Sequence, residues 1–184
     1  MRVIAGIAKS LKLKTPEGMD TRPTQDRIKE TLFNMIQFEL PGSVFVDLYS
    51  GSGGIGIEAL SRGAEKCYFV DHNQEAMQCI RDNLKTTKLE SQAILLKKEV
   101  ASALLEIKEE HIDFIFMDPP YTLLEEEKIF EKLSTMNSID SDTTIICEAA
   151  LTTDFSILEC HGFHIVKEKK YKTNMHVFMQ REKA

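Results

Sequence analysis

The 184-residue chain contains no apolar run of eighteen residues, so no segment reads as a membrane span. Met1-Arg2-Val3-Ile4-Ala5-Gly6 is too short for a signal peptide and lacks a cleavage pattern. Both absences predict a cytoplasmic protein without a membrane partner. The four cysteines, Cys67, Cys79, Cys147 and Cys160, never fall at zinc-ligand spacing, and a cytosolic chain of this size needs no disulfides. They read as small core or half-buried residues. Cys160, His161 and His164 lie close together but lack a fourth ligand, so no metal is expected. There are no internal repeats or low-complexity segments. Proline is scarce, five in all, yet two stand side by side.

What is present fits a globular protein: 42 % apolar and 28 % charged residues, in a length suited to one domain with a small appendage. A net charge of −6 argues against a generic nucleic-acid binder, but it hides an asymmetry. Residues 1–16 carry +4, from Arg2, Lys9, Lys12 and Lys14, and residues 167–184 also carry +4, leaving −14 between them. Two basic ends around an acidic body can form one local patch for a polyanion.

Arg2 to Ile7 and Leu11 to Lys14 predict a hairpin turning at Lys9-Ser10. The Thr15-Pro16-Glu17-Gly18 stretch reads as a loop. Thr24 then caps a helix with Ile28, Leu32, Met35 and Ile36 on one face, ended by Pro41-Gly42. Strands follow at 44–48, 66–70, 93–96, 112–117 and 143–147, alternating with helices at 54–62, 73–87, 100–107 and 124–136. Such alternation predicts a parallel sheet with helices on both faces. Residues 163–171 and 175–180, joined by Lys172-Thr173-Asn174, read as a hairpin that makes the last strand antiparallel.

Two constellations carry chemistry. Gly51, Gly53 and Gly56 form a G-x-G-x-x-G turn between a strand and a helix, and Asp71 follows twenty residues after Gly51, where a carboxylate binds ribose hydroxyls. That alone equally suits a dinucleotide oxidoreductase. Asp47 discriminates: a carboxylate just before the glycines favours a cationic ligand and repels a pyrophosphate. S-adenosylmethionine has an ammonium and a sulfonium but no phosphate.

The second constellation is Asp118-Pro119-Pro120-Tyr121, at the end of the apolar run Ile112–Met117. An Asp/Asn/Ser–Pro–Pro–aromatic pattern arises by accident in on the order of one chain of this length in two hundred. It suits a strand end that must hold a planar amino group still. The Asp118 carboxylate and the Pro119 carbonyl can accept from the amino hydrogens and aim the nitrogen lone pair at a methyl group. The prolines stiffen the loop, and Tyr121 offers a stacking face.

These motifs resemble those of class I amino-methyltransferases. With Arg2-Val3-Ile4-Ala5-Gly6, Thr21-Arg22-Pro23-Thr24 and Thr31-Leu32-Phe33-Asn34 they resemble, more narrowly, the RsmD family of 16S rRNA guanine-N2 methyltransferases. The resemblance implies a Rossmann-like class I methyltransferase fold, a mostly parallel seven-stranded sheet with a C-terminal antiparallel hairpin. A small N-terminal β-hairpin and helix at residues 1–41 would face RNA, and residues 42–184 would form the methyltransferase domain. It implies methyl transfer from S-adenosylmethionine, without a metal, to guanine N2 in 16S rRNA or a small-subunit assembly intermediate, at the family's guanine-966 site. The oligomeric state is not legible in the sequence, and a monomer is the default expectation. Ser50, Gly51, Ser52 and Gly53 would pack under the cofactor, Asp47 would orient its amino-acid part, and Asp71 with His72 would meet the ribose. Glu99, where the family usually has Asp, would meet the adenine with Val100. Asp118, Pro119, Pro120 and Tyr121 would be catalytic. Arg2, Lys9, Lys12, Lys14, Arg22, Thr24, Lys170 and Lys172 would contact RNA. The alternatives are a DNA adenine-N6 or protein-glutamine methyltransferase and, more remotely, a non-catalytic RNA-binding assembly factor.

Overall fold

The computed structural model describes residues 1–15, 23–119 and 123–183. Strands β1 (Val44–Leu48), β2 (Lys66–Val70), β3 (Ala93–Leu96), β4 (Phe114–Met117) and β5 (Thr144–Ala150) alternate with helices α2 (Gly54–Ser61), α3 (Gln74–Thr87), α4 (Val100–Leu104) and α5 (Leu123–Thr135). Helix α1 (Pro23–Ile36) precedes them, and α6 (Ile157–Cys160), β6 (Phe163–Lys170) and β7 (Asn174–Arg181) follow. One seven-stranded sheet results, in the order β3-β2-β1-β4-β5-β7-β6. Strands β1 to β5 pair in parallel, because each crossover carries a helix, while β7 runs antiparallel to β5 and β6. This is the Rossmann-like class I arrangement that the sequence predicts.

Alternation along the strands sorts side chains onto two faces. Phe45, Phe69, Phe114 and Phe116 pack with Leu32 and Phe33 of α1 and Ile57 of α2. Val46, Leu48, Ile115 and Met117 pack on the other face with Leu104, Phe130 and Leu133. Cys67, Cys79 and Cys147 are buried, but Cys160, expected to be at least half-buried, is exposed at the end of α6.

The expected N-terminal hairpin is reduced to a single antiparallel bridge, Arg2 with Lys12. Its inner backbone groups have other partners. The Ile4 and Ala5 N–H groups donate to the Glu58 carboxylate (2.8 and 3.0 Å), Ala8 N–H donates to Ser61 Oγ (3.0 Å), and Ile7 N–H donates to the Ser61 carbonyl (2.8 Å). Helix α2 thus takes the bonds a second strand would have taken. Glu58 is wholly buried and also pairs with Lys29 of α1 (3.3 Å) and Arg62 (2.8 Å). Burial outweighs the pull of Glu58 and lowers the Lys29 pKa. Lys29 Nζ donates to the Arg2 carbonyl (2.6 Å), closing the cluster. Val3, Ala8 and Leu13 share the core of α1 and α2.

Helix α1 begins at Pro23, one residue before the predicted cap Thr24, and ends at Ile36 rather than at Pro41. Proline suits a first helical position because its missing N–H has no helical partner there. Helix α4 stops at Leu104, short of Ile107. Strand β4 starts at Phe114, since Ile112 N–H donates to the Ser138 carbonyl instead of to a neighbouring strand (2.9 Å).

Candidate active site

After β3 the chain returns to the centre of the sheet and lays β4 on the free side of β1. Open α/β sheets form their ligand crevice outside the C-terminal strand ends at such a reversal. A cavity of about 620 Å³ lies there, with Asp47, Ser50, Gly51, Ser52 and Asp118 in its walls.

Asp47, in β1, is 1 % exposed, and its Oδ2 accepts from the Gly56 N–H of α2 (2.9 Å). Burial is only partly offset by that bond, and the charges of Asp71 and Asp118 add to it, so the Asp47 pKa is pushed up to about 7. Gly51 and Gly53 have φ of +53° and +75°, a region that L side chains avoid. A Cβ on Gly56 would lie 2.4 Å from Phe69 Cε1, so this glycine permits close packing of helix on sheet. Ser50 and Asp71 fasten the turn to β2. Ser50 Oγ accepts from Val70 N–H (2.9 Å) and donates to the Asp47 carbonyl (2.6 Å), and Asp71 Oδ2 accepts from Gly51 N–H (2.9 Å).

Gly53, Asp71, His72, Glu99 and Val100 lie outside the cavity lining. His72 and Glu99 are exposed, and Val100 is buried in the core. The Glu99 carbonyl accepts from Ser102 and Ala103 N–H (both 3.0 Å), opening α4.

Asp118 follows β4 directly, with its side chain set in the cavity wall yet open to solvent, and Pro119 is buried. Partial desolvation, with the charge of Glu148, pushes the Asp118 pKa up to about 7. Pro120, Tyr121 and Arg22 lie outside the described residues, as does the Thr15–Gly18 loop from Pro16 onward and the side chain of Thr24.

Sequence reasoning missed the far wall. Glu148, Asn174, His176 and Phe116 line the same cavity. Glu148 of β5 faces His176 across the β5–β7 pairing. Asn174 Nδ2 donates to Glu148 Oε1 (2.5 Å), and His176 Nε2 lies 3.4 Å from Oε2. The Tyr171 hydroxyl lies 3.2 Å from His176 Nδ1, on the side of the ring opposite Glu148. Burial, with the Glu148 charge, pushes the Tyr171 pKa up to about 12, so the hydroxyl keeps its proton. The imidazole also meets the rings of Phe116 (5.9 Å) and Tyr171 (5.2 Å) edge-on. One signal could have found this wall. A charge inside the apolar strand Thr144-Ile145-Ile146-Cys147-Glu148 is the same anomaly that singles out Asp47.

The N-terminal Met1 and Lys172 of the β6–β7 turn both reach this cavity. Lys9, Lys12, Lys14, Lys170 and Arg2 are exposed around it or beyond it. Arg2 pairs with Asp26 (3.4 Å), Lys14 with Asp82 (2.8 Å) and Lys170 with Glu168 (3.3 Å). A groove of about 430 Å³ beside α1 is lined by Arg2, Lys9 and Arg27, with Asp26 and Glu30.

Comparison with known proteins agrees with this geometry. A family profile described as conserved hypothetical protein 95 matches residues 1–180. The protein YlbH of Bacillus subtilis is 40 % identical over 150 residues, 80 % of this chain and 82 % of that protein. The ribosomal RNA small subunit methyltransferase D of Haemophilus influenzae is 32 % identical over 171 residues, 92 % of this chain and 88 % of that protein. The solved structure of Escherichia coli yhhF superposes with a TM-score of 0.84 at 27 % identity, covering 100 % of this chain and 99 % of that one. The chain therefore belongs to the conserved hypothetical protein 95 family, that of the RsmD-like methyltransferases to which its motifs point.

Proposed function

We propose that this protein transfers a methyl group from S-adenosylmethionine to the exocyclic N2 of a guanine in small-subunit rRNA, at the family's guanine-966 site. The observation that carries this reading is the meeting, in one cavity, of the buried Asp47, the glycine turn and the Asp118 that opens the Asp-Pro-Pro-Tyr motif. A relative named for small-subunit rRNA methylation supports the substrate class.

The residues fit the cofactor. A buried carboxylate that titrates near neutrality gains from a cationic ammonium beside it, and Asp47 is such a group. The Gly51–Ser52 backbone offers close approach, and Asp71 at the end of β2 supplies a carboxylate for ribose hydroxyls. Glu99 and Val100 would border the adenine, with Gly53 and His72 completing the surround. When bound, S-adenosylmethionine supplies an electrophilic sulfonium methyl.

Guanine N2 is a weak nucleophile because its lone pair is delocalised into the ring. Asp118 and the Pro119 carbonyl accept from its two hydrogens and turn the lone pair toward the methyl carbon, a proximity and orientation effect. As the N2–C bond forms and the S–C bond breaks, N2 becomes cationic and sheds a proton. An Asp118 that titrates near 7 is matched to take it. Pro120 and Tyr121 would stiffen the loop and stack on the base. Arg2, Lys9, Lys12, Lys14, Arg22, Thr24, Lys170 and Lys172 would contact the RNA, whose binding should weaken steeply with salt. No metal enters this scheme, and a monomer working in the cytoplasm suffices for it.

The test is labelled methyl transfer onto rRNA or small subunits from cells lacking this protein, followed by nucleoside analysis. N2-methylguanosine is the expected product, and methyladenosine would overturn the assignment. In a heat-shift assay S-adenosylhomocysteine should stabilise the protein and NAD should not.

A further inference from the structure

We propose that Glu148 is the specificity residue of this site, reading the guanine by accepting its N1–H beside the N2 amino group held at Asp118. This rests on the guanine-N2 reading above and deepens it.

The sheet register places the two carboxylates side by side. Met117 pairs with Cys147 in the parallel β4–β5 ladder, so Asp118 and Glu148 are the next residues along neighbouring strands. Both line the cavity, and each is close enough for the charge of Glu148 to act on Asp118. Guanine presents its N1–H and N2 hydrogens as adjacent donors on one edge. Two neighbouring carboxylates are a matching pair of acceptors.

Glu148 is built to stay ionised and still. Burial would raise its pKa, but the hydrogen bond from His176, the His176 charge and the Asn174 hydrogen bond outweigh it and hold the carboxyl below its usual range. Asn174 takes Oε1 and His176 approaches Oε2. A carboxylate has about four acceptor sites, so both oxygens keep capacity for a donor from the base. His176 is itself held by Tyr171 and flanked by Phe116. Asp118 and Glu148 divide the work. One titrates near neutrality beside the reacting amino group, and the other keeps a fixed negative charge against N1. Adenine would turn its N1 lone pair toward that charge, leaving a carboxylate facing an acceptor.

The discriminating base is 2-aminopurine, which keeps the 2-amino acceptor of the methyl group but carries a lone pair in place of the N1 hydrogen. Small-subunit RNA is prepared with guanine or 2-aminopurine at the mapped methylation position, and methyl transfer is measured with the full chain. The wild type should favour guanine by on the order of 10²-fold in kcat/KM, the scale of a charged hydrogen bond lost at a reacting site. Glu148→Gln, whose amide can donate to that lone pair, should shrink the preference to a few-fold. Equal use of both bases by the wild type overturns the proposal without any variant. An undiminished preference in folded Glu148→Gln also overturns it, since N1–H would then be read elsewhere. Should Glu148→Gln fail to fold, Asn174→Ala, which releases the same carboxylate, must lower the preference, and an unchanged value sinks the idea. Failure of the underlying reading is seen separately, as a wild-type product on natural RNA other than N2-methylguanosine, and it takes this proposal with it.

Discussion

Asp71 Oδ2 accepts a hydrogen bond from the Gly51 N–H at 2.9 Å, tying the end of β2 to the glycine turn after β1. Its other oxygen accepts from the Asn73 N–H (2.8 Å), one residue before α3. A single carboxylate therefore shapes the turn and retains lone pairs for a further donor. Asp71→Ala should cost ~1.5–3 kcal/mol of cofactor affinity, the scale of a charged hydrogen bond. Calorimetric titration with S-adenosylhomocysteine measures this, and unchanged affinity would refute the ribose role.

The pH dependence follows from Asp47 and Asp118. Both normally titrate near 3.8 and are raised to about 7 in the folded protein. Between those values the folded state holds protons that the unfolded chain has released. Their contribution to stability is therefore full below about pH 4 and is lost as pH rises through about 7. A cationic ligand reverses the preference, because it favours ionised Asp47. Affinity for S-adenosylhomocysteine, which keeps the ammonium, should rise roughly tenfold from about pH 6 to about pH 8, and Asp47→Asn should flatten that rise. A wild-type profile that is flat or falling contradicts the assignment.

Asp118→Ala should lower turnover by on the order of 10²–10³ while leaving S-adenosylhomocysteine binding intact, as for other preorganised polar contacts at reacting centres. Asp118→Asn, which keeps one acceptor oxygen, should retain more activity than the alanine variant. Near-normal turnover in a folded alanine variant would place the chemistry elsewhere.

Glu58 joins the N-terminal segment to the sheet domain through two backbone N–H groups and the cations of Lys29 and Arg62. Removing one partner from a buried ion cluster strands the others, so Glu58→Ala should lose about 3–5 kcal/mol in urea unfolding. Limited proteolysis should then cut within residues 1–15 sooner than in the wild type. A loss under about 1 kcal/mol would mean the segment is held by its Ser61 hydrogen bonds and apolar contacts without Glu58.

Local pattern determined most of the fold. Strands β1, β2 and β3 fall at their predicted bounds because continuous apolar runs between turn residues leave few other choices. Asn73 caps α3 as expected, accepting from the Glu75 and Ala76 N–H groups (2.7 and 3.2 Å), since a cap is a contact between near neighbours. Asp47, the glycine turn and Asp118 were legible for a related reason: each is a local departure from what a buried strand or helix start requires. The N-terminal hairpin keeps its antiparallel pairing at Arg2 and Lys12, but no local pattern reveals that Glu58 and Ser61, more than fifty residues away, claim its inner backbone groups. Glu148, Asn174 and His176 come together only when β7 inserts antiparallel beside β5, and no local spacing encodes that pairing. By itself, then, the sequence determined the sheet, the glycine turn and the family, all written in short-range periodicity and motif. Tertiary structure alone decided that Glu148 stands next to Asp118, because strand register joins residues thirty positions apart.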